Sequence, residues 1–211
     1  MEAYYPIFLR IEQKRCVVIG GGKVALRKIK SLLSCGARVV VIAPEVLPEI
    51  EELAREGKIE LIQRPYQEGD LEGAFLVVAA TNNPAVQEQV VSEAERRGLL
   101  LNVVDQPERS NFIVPSVIRR GRLSLAISTS GASPALARRL RETLEELFGP
   151  EYADYLELMA RWRREILSRD LPEEERRQIF EQLALLPIPL WIKRGEWAQI
   201  EAVARNFGLS L

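Results

Sequence analysis

The chain contains no histidine among its 211 residues. That removes the commonest general base and the commonest transition-metal ligand, so acid–base chemistry falls to a carboxylate, a lysine, a tyrosine or a bound cofactor. Only two cysteines occur. Cys16 falls in an apolar run and Cys35 near the end of the helical stretch after it, which suits small core residues rather than a redox pair. No cluster has metal-ligand spacing, and no resident metal is expected. No apolar stretch approaches the roughly 18 residues needed to cross a bilayer, so no membrane association is expected. The opening Met1-Glu2-Ala3-Tyr4-Tyr5-Pro6 lacks a basic region followed by an apolar core, and a cytoplasmic location is the default. Internal repeats and low-complexity segments are missing as well. The net charge of −1 argues against a nucleic-acid partner.

What is present begins with short apolar runs at 15–20, 38–42, 59–63, 75–80 and 99–103. Amphipathic stretches of helical length separate most of them, the pattern of a parallel sheet with helices on both faces. The first run breaks at Gly20-Gly21-Gly22 and reopens as a helix over 22–34. Gly20, Gly22 and Ala25 fit G-x-G-x-x-A, in which glycines allow a tight turn and close approach to a pyrophosphate, and the small third residue lets helix and strand pack. Lys23 and Val24 then lie at a helix N-terminus whose free N–H groups face the diphosphate. Gly36 caps this helix, a second is expected over 45–55 with Pro48 in its first turn, and a third starts at Pro84 and closes at Gly98. The fold class is therefore α/β, with an N-terminal Rossmann-like, doubly wound parallel sheet.

After Val104 the alternation stops. Residues 105–111 form a polar, turn-rich loop, and 122–128 read as a half-buried strand of an antiparallel pair. Ser133 is a good N-cap and Pro134 a good first residue for a helix over 134–148. Residues 151–211 read as two or three helices, punctuated by Leu171-Pro172, Pro187-Ile188-Pro189 and Gly195. Three regions result: a dinucleotide-binding domain at 1–112, a small strand–helix segment at 113–148 and a helical C-terminal region at 149–211.

Ligands of doubly wound sheets sit outside the carboxyl ends of the strands at the switch point. Those ends supply the glycine turn, Pro44 and Glu45, Thr81, and Asp105. Glu45 is either a ribose ligand or an ordinary acidic residue in a helix's first turn. No Lys or Arg follows the second strand to receive a 2′-phosphate, which favours NAD over NADP. Asp105 either opens a turn before Gln106-Pro107 or stands beside the reactive half of the cofactor, where it is the best general base in a chain without histidine. Ser128, Thr129 and Ser130 precede the Ser133 cap without being needed for it, and could bind a carboxylate or phosphate at the helix start. The segment 113–148 holds six arginines, among them Arg119 and Arg138, against three glutamates. Arginine suits forked recognition of carboxylates, although Arg138 and Arg141 are also spaced to pair with Glu142 and Glu145 along a helix.

In order along residues 5–148, the chain resembles the siroheme-synthase dehydrogenase/ferrochelatase proteins, also called precorrin-2 dehydrogenases. The matching stretches are Tyr5-Pro6-Ile7-Phe8-Leu9, Val18-Ile19-Gly20-Gly21-Gly22-Lys23-Val24-Ala25 with Arg27-Lys28, Val41-Ile42-Ala43-Pro44 and Ala79-Ala80-Thr81-Asn82. They continue with Asn102-Val103-Val104-Asp105-Gln106-Pro107, Phe112-Ile113-Val114-Pro115-Ser116 and Ser128-Thr129-Ser130-Gly131-Ala132-Ser133-Pro134. The resemblance implies NAD-dependent oxidation of precorrin-2 to sirohydrochlorin, with Fe²⁺ insertion as a second activity of some members. It implies that Asp105 is the central catalytic residue, that the glycine turn and the segment after the second strand hold NAD, and that a homodimer forms through the middle segment. A carboxylate-rich tetrapyrrole substrate fits the arginines. The fused methyltransferase domain of some relatives is absent, so methylation of uroporphyrinogen is not expected, and 150–211 follow the motifs less well. Rival readings are a NAD-sensing regulatory module without turnover and a tetrapyrrole carrier.

Overall fold

Runs of consecutive apolar residues, rather than alternating ones, make strands that must be covered on both faces. The computed structural model describes residues 4–211; Met1, Glu2 and Ala3 of the opening segment lie outside them. Five such strands, β1 (Arg15–Ile19), β2 (Arg38–Ile42), β3 (Glu60–Ile62), β4 (Leu76–Ala79) and β5 (Leu100–Val103), form one parallel sheet in the order β3-β2-β1-β4-β5. The helices joining them are α1 (Lys23–Leu33), α2 (Pro48–Arg55) and α3 (Pro84–Arg96). Odd and even positions of each strand feed separate cores. Val17, Ile19, Val77 and Val103 pack with Val90 and Ala94 of α3. Cys16, Val18, Val41 and Val78 pack with Ala25 and Ile29 of α1 and Ile50 of α2. Burial, and secondarily the nearby Cys35, push the Cys16 thiol up to about 11, and both cysteines are free.

Gly36 does end α1. It takes a left-handed backbone, φ 74°, and the Ala37 N–H returns to the Leu32 carbonyl at 3.2 Å while its own N–H bonds Leu33. That pair of bonds satisfies two of the helix's last carbonyls. The second helix is shorter than its pattern suggests: α2 begins at Pro48, not at 45. The residue before a proline is pushed out of the helical region, and Leu47 accordingly sits at φ −66°, ψ 148°. Glu45 is thus an exposed loop residue and not part of a helical first turn.

Residues through Val114 form one compact unit and Pro115–Leu211 a second, which takes in both the middle segment and the helices after it. In the second unit β6 (Ser116–Arg120) and β7 (Leu123–Ile127) pair antiparallel. β6 is the partner strand that the sequence reading expected but did not place, because its half-buried Val117 and buried Ile118 stand between polar and charged neighbours. Helix α4 (Pro134–Leu147) opens on Ser133, whose Oγ accepts the Leu136 N–H at 3.2 Å. Four helices follow rather than two or three: α5 (Glu151–Leu167), α6 (Glu173–Leu185), α7 (Ile188–Arg194) and α8 (Trp197–Asn206). The Pro187-Ile188-Pro189 tract starts a short helix instead of merely separating two, since proline suits a first turn. Gly195, at φ 68°, ends it. Their shared core centres on Trp162, fully buried, whose indole N–H donates to the Ser210 carbonyl at 2.8 Å. Among the described residues no helix is long and apolar enough to cross a membrane.

Candidate active site

The strand order reverses between β1 and β4, and the carboxyl ends of those two strands flank the crevice where doubly wound sheets bind ligands. A cleft of about 410 Å³ opens there, lined by Gly22, Lys23 and Val24 from the glycine turn, Ala80 and Thr81 after β4, and Asp105 and Gln106 after β5. The three glycines do different work. A Cβ on Gly20 would overlap the Ala80 carbonyl, and one on Gly21 would overlap the Glu45 carbonyl and Val46. A Cβ on Gly22 would meet nothing within 4 Å. Gly20 and Gly21 thus allow backbone to pack against the loops after β4 and β2, and Gly22 keeps the cleft open. Gly22 is also the N-cap of α1 and supplies no side-chain cap, which leaves first-turn N–H groups for a bound anion. A dinucleotide's pyrophosphate fits this cradle.

Pro44 and Glu45 do not line the cleft; both are exposed in the turn after β2. The Glu45 backbone nevertheless abuts Gly21, and the Leu47 N–H bonds the Gly21 carbonyl at 2.9 Å.

Asp105 is exposed and sits at φ 61°, one of three non-glycine residues with positive φ among those described. Aspartate tolerates this left-handed conformation better than most residues, but it still carries strain. The loop that imposes it is firmly tied. Ser110 Oγ accepts the Val103 N–H at 2.9 Å and donates to the Gln106 carbonyl at 2.9 Å. Asn111 accepts the Leu101 N–H at 2.8 Å and donates to the Leu99 carbonyl at 2.7 Å. These side chains occupy the free edge of β5, so the loop both seals the sheet and presents Asp105.

Besides Gly21, three contributors had no role assigned from the sequence: Lys28 and Asn102, which stand in the matching stretches, and Gln87, which does not. Gln87, buried on α3, donates to the Thr81 carbonyl at 2.8 Å and accepts from Gln106 at 3.0 Å, bracing the two loops that flank the cleft. Asn102, buried on β5, donates to the Phe112 carbonyl at 3.2 Å and accepts from Lys28 Nζ at 3.4 Å. Burial holds the half-buried Lys28 ammonium below the usual lysine range, Arg27 adds to this, and the Asp105 charge acts in the opposite direction. A polar residue inside an apolar strand or on a helix's inner stripe was the available signal.

The remaining candidates belong to the second unit. Ser128 Oγ accepts the Ser130 N–H at 3.0 Å, Thr129 Oγ1 accepts the Ser133 N–H at 3.1 Å, and Ser130 sits at φ 50°. The hydroxyls thus shape the turn before α4, with Ser128 and Ser130 exposed. Arg138 pairs with Glu142 at 2.9 Å on the helix surface, while Arg119 lies exposed on β6. Among the described residues no group of three or more histidine, cysteine or acidic side chains could hold a metal ion.

Comparison with known proteins adds to this geometry. A family described as putative NAD(P)-binding matches residues 7–116, and one described as sirohaem biosynthesis protein, central, matches residues 120–147. Siroheme synthase of Chromobacterium violaceum is 38% identical over 202 residues, covering 96% of this chain and 42% of that protein. Siroheme synthase 3 of Aeromonas hydrophila is 42% identical over 180 residues, covering 85% and 38%. The chain therefore spans about two fifths of the length of these curated relatives. A solved structure described as SirC, precorrin-2 dehydrogenase, superposes with a TM-score of 0.78 at 31% identity, covering 94% of this chain and all of that one.

Proposed function

The chain belongs to the siroheme-synthase dehydrogenase/ferrochelatase family, and from that premise we propose that it oxidises precorrin-2 to sirohydrochlorin with NAD, in the cytoplasm. The observation that carries this reading is Asp105, set in left-handed backbone at the wall of the cleft that Gly22 leaves open. Gly20, Gly22, Lys23 and Val24 would hold the pyrophosphate of NAD, and Pro44, Glu45 and Thr81 are the further residues proposed to bind the cofactor. Bound NAD supplies the hydride acceptor. Asp105 takes the accompanying proton from the tetrapyrrole, which balances the removal of two hydrogens as one hydride and one proton. Ser128, Thr129, Ser130, Arg119 and Arg138 are the proposed partners of the substrate's carboxylates. A second activity, insertion of Fe²⁺ into sirohydrochlorin, uses the same carboxylate to take the two pyrrole protons in turn and pass each to solvent, with iron as substrate.

The protein also acts as a homodimer in this reading. Leu136, Leu140, Leu144 and Leu147 lie on one face of α4, and three of them are 48%, 41% and 63% exposed at 136, 140 and 147. Such a stripe on an amphipathic helix suits a helix face covered by a second copy.

Purified protein mixed anaerobically with precorrin-2 and NAD should give matched rises in the NADH and sirohydrochlorin absorbance bands. Asp105→Asn keeps a residue that tolerates left-handed backbone, so it should fold and bind NAD yet lose about 10²-fold or more in kcat. NAD binding without turnover by the unsubstituted protein would favour a regulatory module instead. Loss of Fe²⁺ insertion in the same variant would assign both steps to one carboxylate.

A further inference from the structure

Residues 87, 90, 91 and 94 form the inward stripe of α3, spaced i, i+3, i+4, i+7. Val90, Val91 and Ala94 pack into the core there, yet position 87 is a glutamine, 8% exposed. A buried amide is costly unless both of its ends are satisfied, and here both are. Its nitrogen donates to the Thr81 carbonyl at 2.8 Å, and its oxygen accepts from the Gln106 amide at 3.0 Å. The group cannot be turned end for end: a backbone carbonyl only accepts, so the nitrogen must face Thr81 and the oxygen is left for Gln106. Thr81, Gln87 and Gln106 all line the cleft, and Gln106 is one peptide bond from Asp105. Without this contact the two loops are held unequally. After β4, Thr81 Oγ1 accepts the Asn83 N–H at 3.2 Å, and Asn83 in turn caps α3 through the Ala85 and Val86 N–H groups. After β5, Ser110 and Asn111 bind the far end of the loop to its own strand. The near end, where Asp105 is held at φ 61°, is tied to α3 by Gln87, and further along by the pair of Arg109 with Glu88, whose carboxylate is exposed. Strained backbone persists only where its surroundings over-determine it.

We propose that Gln87 is a positioning residue: it spans the cleft wall from the Thr81 carbonyl to Gln106, and through Gln106 it holds Asp105 in the left-handed conformation that presents the carboxylate to the cleft. The catalytic meaning of this hold rests on the dehydrogenase reading; the hold itself does not.

The test has two readouts on the full-length chain. In the first, amide hydrogen exchange is followed by NMR without cofactor or substrate. Gln87→Met keeps the length of the side chain and removes both bonds, whereas Gln106→Met removes only the bond between the glutamines and leaves the Thr81 carbonyl satisfied. Each should speed exchange of the Gln106 and Arg109 amides about five- to tenfold more than that of the β1 amides. Equal acceleration in the loop and in β1, or none in the loop, overturns the proposal. Should Gln87→Met fail to fold, Gln106→Met carries the same comparison from the other side of the bond. In the second readout, each variant should lose about tenfold in kcat for precorrin-2 while NAD affinity by calorimetry stays within about threefold. The double variant should lose no more in kcat than Gln87→Met alone, because both substitutions break one contact. Losses that multiply, or NAD affinity that falls in step with kcat, would mean that the glutamines act separately or only shape the cofactor's cradle. Glu88→Gln, which breaks the exposed pair, should stay within about twofold in kcat, and a loss as large as that of Gln87→Met would move the hold from Gln87 to the helix surface. If the unsubstituted protein turns over no precorrin-2 while the exchange contrast is seen, the dehydrogenase reading fails and the hold on the loop stands.

Discussion

At the scale of single residues, the glycine turn separates structural need from ligand need. Gly20→Ala and Gly21→Ala each force a methyl into backbone atoms, of Ala80 and of Glu45 respectively. Each should lower stability by about 1–3 kcal/mol in a denaturant melt, Gly20→Ala more because φ 128° is also hostile to a side chain. Gly22→Val meets open space and loses no more than about 1 kcal/mol as an N-cap, yet it should abolish NAD binding by calorimetry. The motif reading named Gly20 and Gly22 and passed over Gly21, because G-x-G-x-x-A treats the middle position as free. What fixes that residue is the loop after β2, which lies more than twenty positions away and has no trace in the local pattern. Lys28 had no role assigned for a related reason: on an amphipathic helix a lysine reads as solvated, and only the stripe position 25-28-29-32 says otherwise.

At the scale of elements, α3 and the loop between β3 and β4 are joined through one buried carboxylate. Glu93, 1% exposed, accepts from the Tyr66 hydroxyl, from the Gly69 N–H at 2.9 Å and from Arg97 at 2.8 Å. Burial alone would raise its carboxyl, but the three donors outweigh it and hold Glu93 below the usual carboxylate range, while burial and then Glu93 push the Tyr66 phenol up. A carboxyl depressed in the folded state adds stability above its unfolded value and loses it as pH falls through the folded one. Glu93→Gln should therefore cost about 1–3 kcal/mol near neutrality, and the gap to the unsubstituted protein should close as thermal melts are taken toward acid pH. None of this was legible in the sequence, since Tyr66 and Glu93 lie 27 residues apart. The strands were legible because β1, β2 and β4 are buried on both faces and write themselves as unbroken apolar runs. The start of α2 and the number of C-terminal helices were not, because a proline permits either a break or a beginning and the choice lies in tertiary packing. If α4 pairs with a second copy as proposed, Leu140→Glu should leave only monomer in sedimentation runs, with little change in helix content by circular dichroism.

At the scale of the whole molecule, the two compact units carry separate cores, one on each face of the sheet in the first and one around Trp162 in the second. A ligand stabilises only the structure that binds it, by mass action. NAD should therefore raise the calorimetric transition of the first unit and leave that of the second in place at low NAD; a single transition that moves as a whole would show that the units unfold together. The doubly wound order of the first unit followed from alternating runs and from where Gly20 and Asp105 fall among them. A substrate role for the hydroxyls and arginines of the second unit did not, because at a helix start such residues serve capping and surface pairing equally well, as Thr129 and Arg138 do. The loop that carries Asp105 has one more implication, for how this chain can vary. Surface loops ordinarily absorb insertions, but here Ser110 and Asn111 are in fixed register with β5. The stretch from Asp105 to Asn111 works as a ruler: one residue added or removed would unseat either the carboxylate or the edge, and its length should be as constrained as that of a core strand.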